Sequence, residues 1–501
     1  MALPSWLEGL SSRRKTVLYV FIPLLSLLMH SYVFNRDLVG FHVWRQTQTQ
    51  INIENFAKED FNILDPRIDN RGAGSGIFRM EFPIMQWLFA IFYKLFGTHI
   101  FISRILTFII GLFSVWGIYH LLYALFNRIP IALIGAWCFN FSPVFYYYTV
   151  NPLPDNFALC LSIWGLTFFF RWIKNNKTSS LVLSAALLSL ATMAKLPFVI
   201  YLSVIGVYII WGLVRKAIKV KTVLKIVVVY GACFLPAAAW YFSVVGGWQG
   251  NGIVAGITAV KKDDIANILG IMQANLVSSL PELLVNYGAL LFFLAGFYFM
   301  FRNKVQKKEP GFIMLVALGT SAILYFLFEM NMIGRVHDYY LFPFLTPIFI
   351  LLAYGAEQLF MTEKKLLKTF CTFLICILPL TAFLRIEHRW NTTSPGFNPD
   401  LYTYKNDLRS AVPDNALCIV GNDESGHILF YYIHKKGWCF DLDTLGPKSI
   451  KALIAQGAKY LYTDSRKVDE NKEVQPYFDR LIMQRGSIKV YALKDQNTIA
   501  K

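Results

Sequence analysis

Nine side chains stand out for the chemistry their types could do together. His42, Arg45, Gln48 and Glu81 fall in one long loop; Asp155, Lys195, His337, Tyr339 and Tyr340 follow at the ends of apolar segments. The loop runs Phe41-His42-Val43-Trp44-Arg45-Gln46-Thr47-Gln48, then through Asp65-Pro66-Arg67-Ile68-Asp69-Asn70-Arg71 and a Gly-rich strip expected to be mobile, to Arg79-Met80-Glu81-Phe82-Pro83. Arginines held there suit an anionic ligand, because a guanidinium pairs bidentately with phosphate or carboxylate. The competing reading is that Arg45, Arg71 and Arg79 pair with Asp37, Asp65, Asp69 and Glu81, or touch lipid headgroups. Each later residue is weak evidence alone: Asp155 suits an ordinary helix cap, and Lys195 could snorkel to headgroups. Ionisable groups in membrane segments default to functional hypotheses, and the convergence of all of these on one face outweighs any single one.

The elements that carry them are apolar. The chain has 501 residues, 55% hydrophobic and 16% charged, where a soluble domain carries about 25% charged residues. Uncharged runs approaching the roughly 20 residues needed to cross a hydrocarbon core recur at 17–34, 105–126, 156–170, 198–214, 226–245, 283–301, 312–328, 339–356 and 369–384, with shorter ones at 129–148 and 180–194. That predicts about eleven spans. The net charge of +17 does not indicate nucleic acid, because Lys and Arg cluster in alternate short loops as the positive-inside rule requires. The N-terminus is then inside, and loop 35–104 and residues 391–501 are outside. Segment 82–97 is short and carries Lys94, so it reads as a surface helix. The cysteines have no metal-type spacing.

After residue 390 the composition turns soluble. Strands are expected at 416–420, 438–441, 459–463 and 488–493, and helices at 426–435, 447–456 and 474–484. Such alternation predicts a small α/β domain, 391–501, behind an α-helical polytopic membrane domain, 1–390.

His42-x-Trp44-Arg45-Gln46, Glu81-Phe82-Pro83, Pro154-Asp155, Lys195 and His337-x-Tyr339-Tyr340, taken in order and sidedness, resemble the GT-C superfamily of polytopic glycosyltransferases. The branch they resemble holds protein O-mannosyltransferases and the lipid A aminoarabinose transferase. The resemblance implies a sugar donor on a polyprenyl phosphate and an acceptor in the envelope (lipid, glycan or protein). It also implies a site facing the periplasm or outside of the plasma membrane, with membrane lipids as surroundings and no nucleic acid as partner. Relatives carry a base in the first outer loop, where this chain has Gln48, which cannot take a proton. The base is therefore expected at Glu81, with His42 second. Arg45 and Lys195 are expected to face the donor phosphate. Gln48, Asp155, His337, Tyr339 and Tyr340 are expected to bind substrate, with Asp155 binding sugar hydroxyls, orienting Lys195 or helping hold a divalent ion. No cofactor or metal is expected to be required. The loss of the loop acid leaves open a binding-only or altered enzyme and makes a non-catalytic scaffold for lipid-linked sugars an alternative; a transporter or flippase for a lipid-linked or anionic substrate is a separate alternative. Against a transporter, the polar groups lie at one face rather than at the midplane, and the two halves show no repeat.

Overall fold

The computed structural model describes residues 16–247, 265–302, 310–330, 332–333 and 337–495. Asn251, expected in an outer loop, and Arg335, at the head of the His337 segment, lie outside the described residues. The chain divides into two compact units.

The first unit, Met1–Asn35, Met80–Phe82 and Arg104–Glu387, is helical. Eight described helices are long and apolar enough to cross a membrane, among them Ile100–Phe126, Pro154–Asn175, Gly311–Glu329 and Asp338–Phe360. Val17–His30, Ile129–Asn140, Thr178–Ala194 and Tyr287–Arg302 are shorter apolar helices, so the expected eleven spans draw on both classes. The fold is that of a multi-pass membrane protein. Helix starts follow local chemistry: Pro130, Pro143, Pro154 and Pro343 stand in first turns, where a missing N–H costs nothing and φ is already helical.

Two expected spans are broken. Segment 129–148 stops at Asn140 and restarts at Pro143, as a proline disfavours helix at the residue before it. Segment 283–301 is interrupted at Asn286, which has φ 75°. The Asn286 amide bonds the Phe141 and Leu378 carbonyls at 3.0 and 3.3 Å. One apolar helix was not expected: Asn267–Val285. Polar residues from Asn267 to Glu282 interrupt its hydrophobic run, and the structure gives some of them partners. Asn275 donates to the Ile333 carbonyl at 3.4 Å, and Glu282 pairs with Arg385. Helices Leu290–Arg302 and Phe342–Phe360 meet backbone to backbone. A Cβ on Gly355 would sit 2.0 Å from the Phe292 carbonyl oxygen, and one on Gly296 2.1 Å from that of Leu351.

The second unit, Arg36–Arg79, Pro83–Ser103 and His388–Lys501, gathers the first loop and the tail. The boundary in the chain falls at His388, close to the expected 390, and the first loop folds as part of this unit rather than by itself. The expected surface segment is the helix Ile84–Phe96. The tail holds a five-stranded sheet: β1 Leu417–Gly421, β2 Lys436–Cys439, β3 Tyr460–Thr463, β4 Phe478–Arg485 and β5 Ile488–Leu493, in the order β2-β1-β3-β5-β4. β1 pairs parallel with β2 and β3; β5 runs antiparallel to β3 and β4. Side chains alternate across it. Cys418, Val420, Tyr462 and Val490 join one core with helix Ile428–Ile433 and with Leu38, Val43 and Ile51 of the loop. Ile419 and Leu461 face the other core, with Ile450 and Ile454.

One tail element differs from expectation. Residues 474–484, read as a helix, are a short 3-10 turn and then β4. The missed signal is Gly486 at φ 56°, which lets the chain reverse between Arg485 and Ser487 into a hairpin. The Gly-rich strip of the first loop, expected to be mobile, is tied down by hydrogen bonds. The Ile68 N–H donates to the Gly76 carbonyl at 2.9 Å, closing it into a hairpin. The Arg71 and Gly72 amides donate to Gly437 at 2.9 and 2.6 Å, adding the strip to the edge of β2. An edge strand presents unpaired backbone groups, and this strip covers them.

Candidate active site

In the helical unit, six of the predicted residues come together. The short segment Met80–Phe82 is strapped across the end of helix Thr178–Ala194. The Phe82 N–H donates to the Met193 carbonyl at 3.0 Å, and Trp240 Nε1–H donates to the Met80 carbonyl at 2.9 Å. The Tyr241 hydroxyl reaches the carbonyls of Thr192 and Met193 at 3.0 Å each. The strap sets Glu81 opposite Lys195, the first residue after the helix, whose backbone is extended at φ −158°. Lys195 Nζ donates to Glu81 Oε1 at 2.7 Å and lies 3.9 Å from Asp155 Oδ2. Asp155 stands in the first turn of helix Pro154–Asn175, where the helix dipole favours a carboxylate. It is fully buried at 1% exposure, and Lys195 is 5% exposed. A buried ammonium needs such partners, since desolvation otherwise costs several kcal/mol.

The His337 segment closes this cluster. Lys195 Nζ stands 5.2 Å from the Tyr340 ring centre and 5.7 Å from that of Tyr339. Both rings pack against His337 at 5.1–5.2 Å between centroids. Asp338 accepts the Tyr148 hydroxyl at 2.5 Å. Tyr148 was not singled out in the sequence, whereas Asp338 belongs to the His-Asp-Tyr group read there. Tyr148 lies in an aromatic run, Phe145–Tyr148 numbering 145–148, that reads as apolar span.

In the second unit, His42 stands at φ 52° just before helix Val43–Lys58, its ring edge-on to Phe41. Arg45 donates to the Gln48 side-chain oxygen, one turn along the same helix, and each is 7% exposed. The helix is polar yet mostly buried, and several of its amides are matched. Gln50 donates to the Tyr93 hydroxyl at 2.7 Å, and Asn55 to Asp69 Oδ1 at 2.9 Å. Arg79 follows the pairing reading, with Asp65 at 2.5 Å, while Arg71 pairs at 2.9 Å with Glu59, an acid outside that reading. Asp37 is bound by Lys405 at 2.8 Å and by Tyr431. Burial pushes its carboxyl up, but Lys405, Tyr431 and Arg409 together bring it below the usual range. Burial raises the Asp69 carboxyl to about 6, with the Asn55 hydrogen bond opposing. His427, preceding helix Ile428–Ile433, was also missed. It is held neutral down to about 4, first by burial and then by the Arg45 charge. Only the packing of helix Ile428–Ile433 on helix Val43–Lys58 brings those two residues, 382 positions apart in the chain, into electrostatic range. Among the described residues no group of three or more His, Cys, Asp or Glu side chains is arranged to hold a metal.

Residues 81–240 match the dolichyl-phosphate-mannose-protein mannosyltransferase family. That segment begins at Glu81, ends at Trp240, and contains Asp155 and Lys195. The structure superposes on ArnT from Cupriavidus metallidurans in the apo state with a TM-score of 0.65, 13% identity, and 96% of this chain and 98% of that one covered. The chain has the GT-C fold. The likeness extends to the same ArnT bound to undecaprenyl phosphate, at a TM-score of 0.62, 13% identity and coverage of 95% and 98%. The GT-C oligosaccharyltransferase AglB of Archaeoglobus fulgidus, in complex with an inhibitory peptide and a dolichol-phosphate, matches at 0.58 and 13% identity, covering 95% of this chain and 73% of that one. Mycobacterial arabinofuranosyltransferase AftD matches at 0.61 and 12% identity, covering 97% of this chain and 40% of that one. No curated protein sequence matches this chain significantly.

Proposed function

We propose that the protein is a membrane glycosyltransferase that moves a sugar from a polyprenyl-phosphate donor to an acceptor of the cell envelope, at the periplasmic or outer face of the plasma membrane. The observation that carries this reading is the buried Glu81–Lys195–Asp155 cluster, which lies inside the segment matching the mannosyltransferase family. Undecaprenyl phosphate in ArnT and dolichol-phosphate in AglB support a lipid-phosphate carrier.

Attack of an acceptor hydroxyl on the anomeric carbon needs a base in hydrogen-bond reach. Glu81 takes the hydroxyl proton as the new C–O bond forms. The bond from the anomeric carbon to the phosphate oxygen breaks, and its electron pair leaves with the lipid phosphate. Lys195 links the two events. While Glu81 is ionised, the ammonium is held by it at 2.7 Å. Once Glu81 is protonated, that charge is released to stabilise the leaving phosphate. Asp155 keeps the lysine in place from its other side. Tyr339, Tyr340 and His337 form the wall against which the sugar stacks or bonds. Arg45, with Gln48 and His42, is assigned to anion and substrate binding within its own unit.

The test is transfer in proteoliposomes. Purified protein with a radiolabelled polyprenyl-phosphate sugar and an envelope extract should yield a labelled acceptor. Donor binding without transfer, across a panel of sugars and extracts, would instead favour the scaffold reading. Movement of the donor between leaflets would favour the flippase.

A further inference from the structure

Helix Pro310–Glu329 brings two polar side chains into the Lys195 region that the mechanism above does not use. Tyr325 and Glu329 are four residues apart, so they share one helix face. Both are more than nine-tenths buried, at 9% and 7% exposure. Neither the Tyr325 hydroxyl nor Glu329 Oε2 has a hydrogen-bond partner among the described residues. Buried polar atoms are nearly always paired, so an orphan calls for an explanation. Two orphans on one face point to a ligand that pairs with both.

Their surroundings define where that ligand sits. The helix packs on Leu196–Tyr201, the turn that begins directly after Lys195. Glu329 lies within electrostatic range of Lys195. Tyr325 lies within range of Tyr340, Glu329 and Asp155. The chain beyond Glu329 is folded back tightly. The Met332 and Ile333 amides donate to the Glu329 carbonyl at 2.9 and 3.0 Å, and the His337 amide donates to Met332 at 2.8 Å. The two orphans therefore stand on a helix beside the turn that follows Lys195, within electrostatic range of Asp155, Lys195 and Tyr340.

Charge decides the chemistry of the occupant. Lys195 already faces Glu81 and Asp155, and Glu329 adds a third carboxylate against one ammonium. The phosphate is served by Lys195 once Glu81 is protonated, whereas the Tyr325–Glu329 face brings no cation of its own. That face suits a neutral molecule rich in O–H donors, since carboxylates accept and a phenol both donates and accepts. We propose that Tyr325 and Glu329 form a sugar-binding subsite, in which Glu329 accepts a hydrogen bond from one ring hydroxyl and Tyr325 bonds a second. Assigning that sugar to the lipid donor rests on the glycosyl-transfer reading; the same hydroxyl chemistry on an acceptor glycan would use the same two residues.

The experiment measures binding to the full chain in nanodiscs. The probes are bare undecaprenyl phosphate, the same lipid carrying mannose, glucose or arabinose, and the free monosaccharides. The wild type should bind at least one sugar-bearing lipid about tenfold or more tightly than the bare lipid, and Glu329→Gln should lose most of that difference while keeping bare-lipid affinity. Tyr325→Phe should lose part of it, and serves as the second test if Glu329→Gln does not fold. Loss of free-sugar binding in the variants with the lipid difference intact supports the subsite and places it on the acceptor. Variants that keep both the lipid difference and free-sugar binding overturn the proposal. So does an equal loss for bare and sugar-bearing lipid. If the wild type takes up no polyprenyl phosphate, the glycosyl-transfer reading fails separately. Free-sugar binding that is lost in Glu329→Gln would then still uphold the subsite, and its absence in the wild type would overturn it.

Discussion

Glu81 and Lys195 are 114 positions apart in the chain, and nothing in either local sequence announces the other. Each was recognisable by type: a carboxylate before Pro83 and a lysine between apolar segments. Their pairing was not, because it depends on the strap that Trp240 and Met193 hold in place. The pair makes Glu81 testable as a base. Glu81→Gln keeps the shape and removes the proton acceptor, so turnover should fall about 100-fold or more with donor binding largely retained. Normal turnover in Glu81→Gln beside an inactive His42→Ala would move the base to His42. Lys195 carries a structural burden too. Lys195→Met leaves Asp155 and Glu81 facing each other without a cation, which costs about 3–5 kcal/mol in comparable buried pairs. The variant should lose transfer and also melt earlier; an unchanged melting temperature would show that the lysine is not the charge the cluster depends on.

At the scale of elements, uncharged apolar runs located most of the membrane helices, while their interruptions came from contacts. The break at Asn286 exists because Phe141 and Leu378 offer carbonyls to its amide, and no local rule anticipates that. The β4 strand was misread because its amphipathic residues fit a helix equally well, and only pairing with β5 decides between the two. Glycine at the closest helix contact is open to a direct check. Gly355→Val would push a side chain into the Phe292 carbonyl and the Gly296 backbone. Overpacking of this kind typically costs 1–3 kcal/mol or more, and with backbone on both sides the upper end is expected. Thermal unfolding in detergent should show a clear drop, whereas Gly319→Val, with nothing within 4 Å of its Cβ position, should melt close to wild type.

For the whole molecule, the soluble unit should respond to acid in a defined way. Burial holds His427 neutral down to about 4, with Arg45 adding to the effect, and burial likewise lowers His434 to about 4. The unfolded chain takes up these protons from about 6.5 downward. The stability these two histidines contribute is therefore complete above about 6.5 and is lost as pH falls toward 4. Asp69, raised to about 6, works the other way, losing stability as pH rises from its ordinary value through 6. The two histidines outweigh it, and His427→Gln should flatten the dependence of the melting temperature on pH between 6.5 and 4. Orientation is checked by cysteine labelling: Asn422→Cys in the tail should react from the outer face, and Lys216→Cys only from the cytoplasmic face. The sequence by itself determined the membrane character, the soluble tail and the residue types of the site, because hydropathy, charge placement and side-chain chemistry are local properties. Only the tertiary structure decided that the first loop shares a core with the tail, that Glu81 meets Lys195, and that Tyr325 and Glu329 stand within electrostatic range of the same cluster. Those facts depend on hydrogen bonds and packing between segments a hundred or more residues apart, and no window of sequence contains both partners.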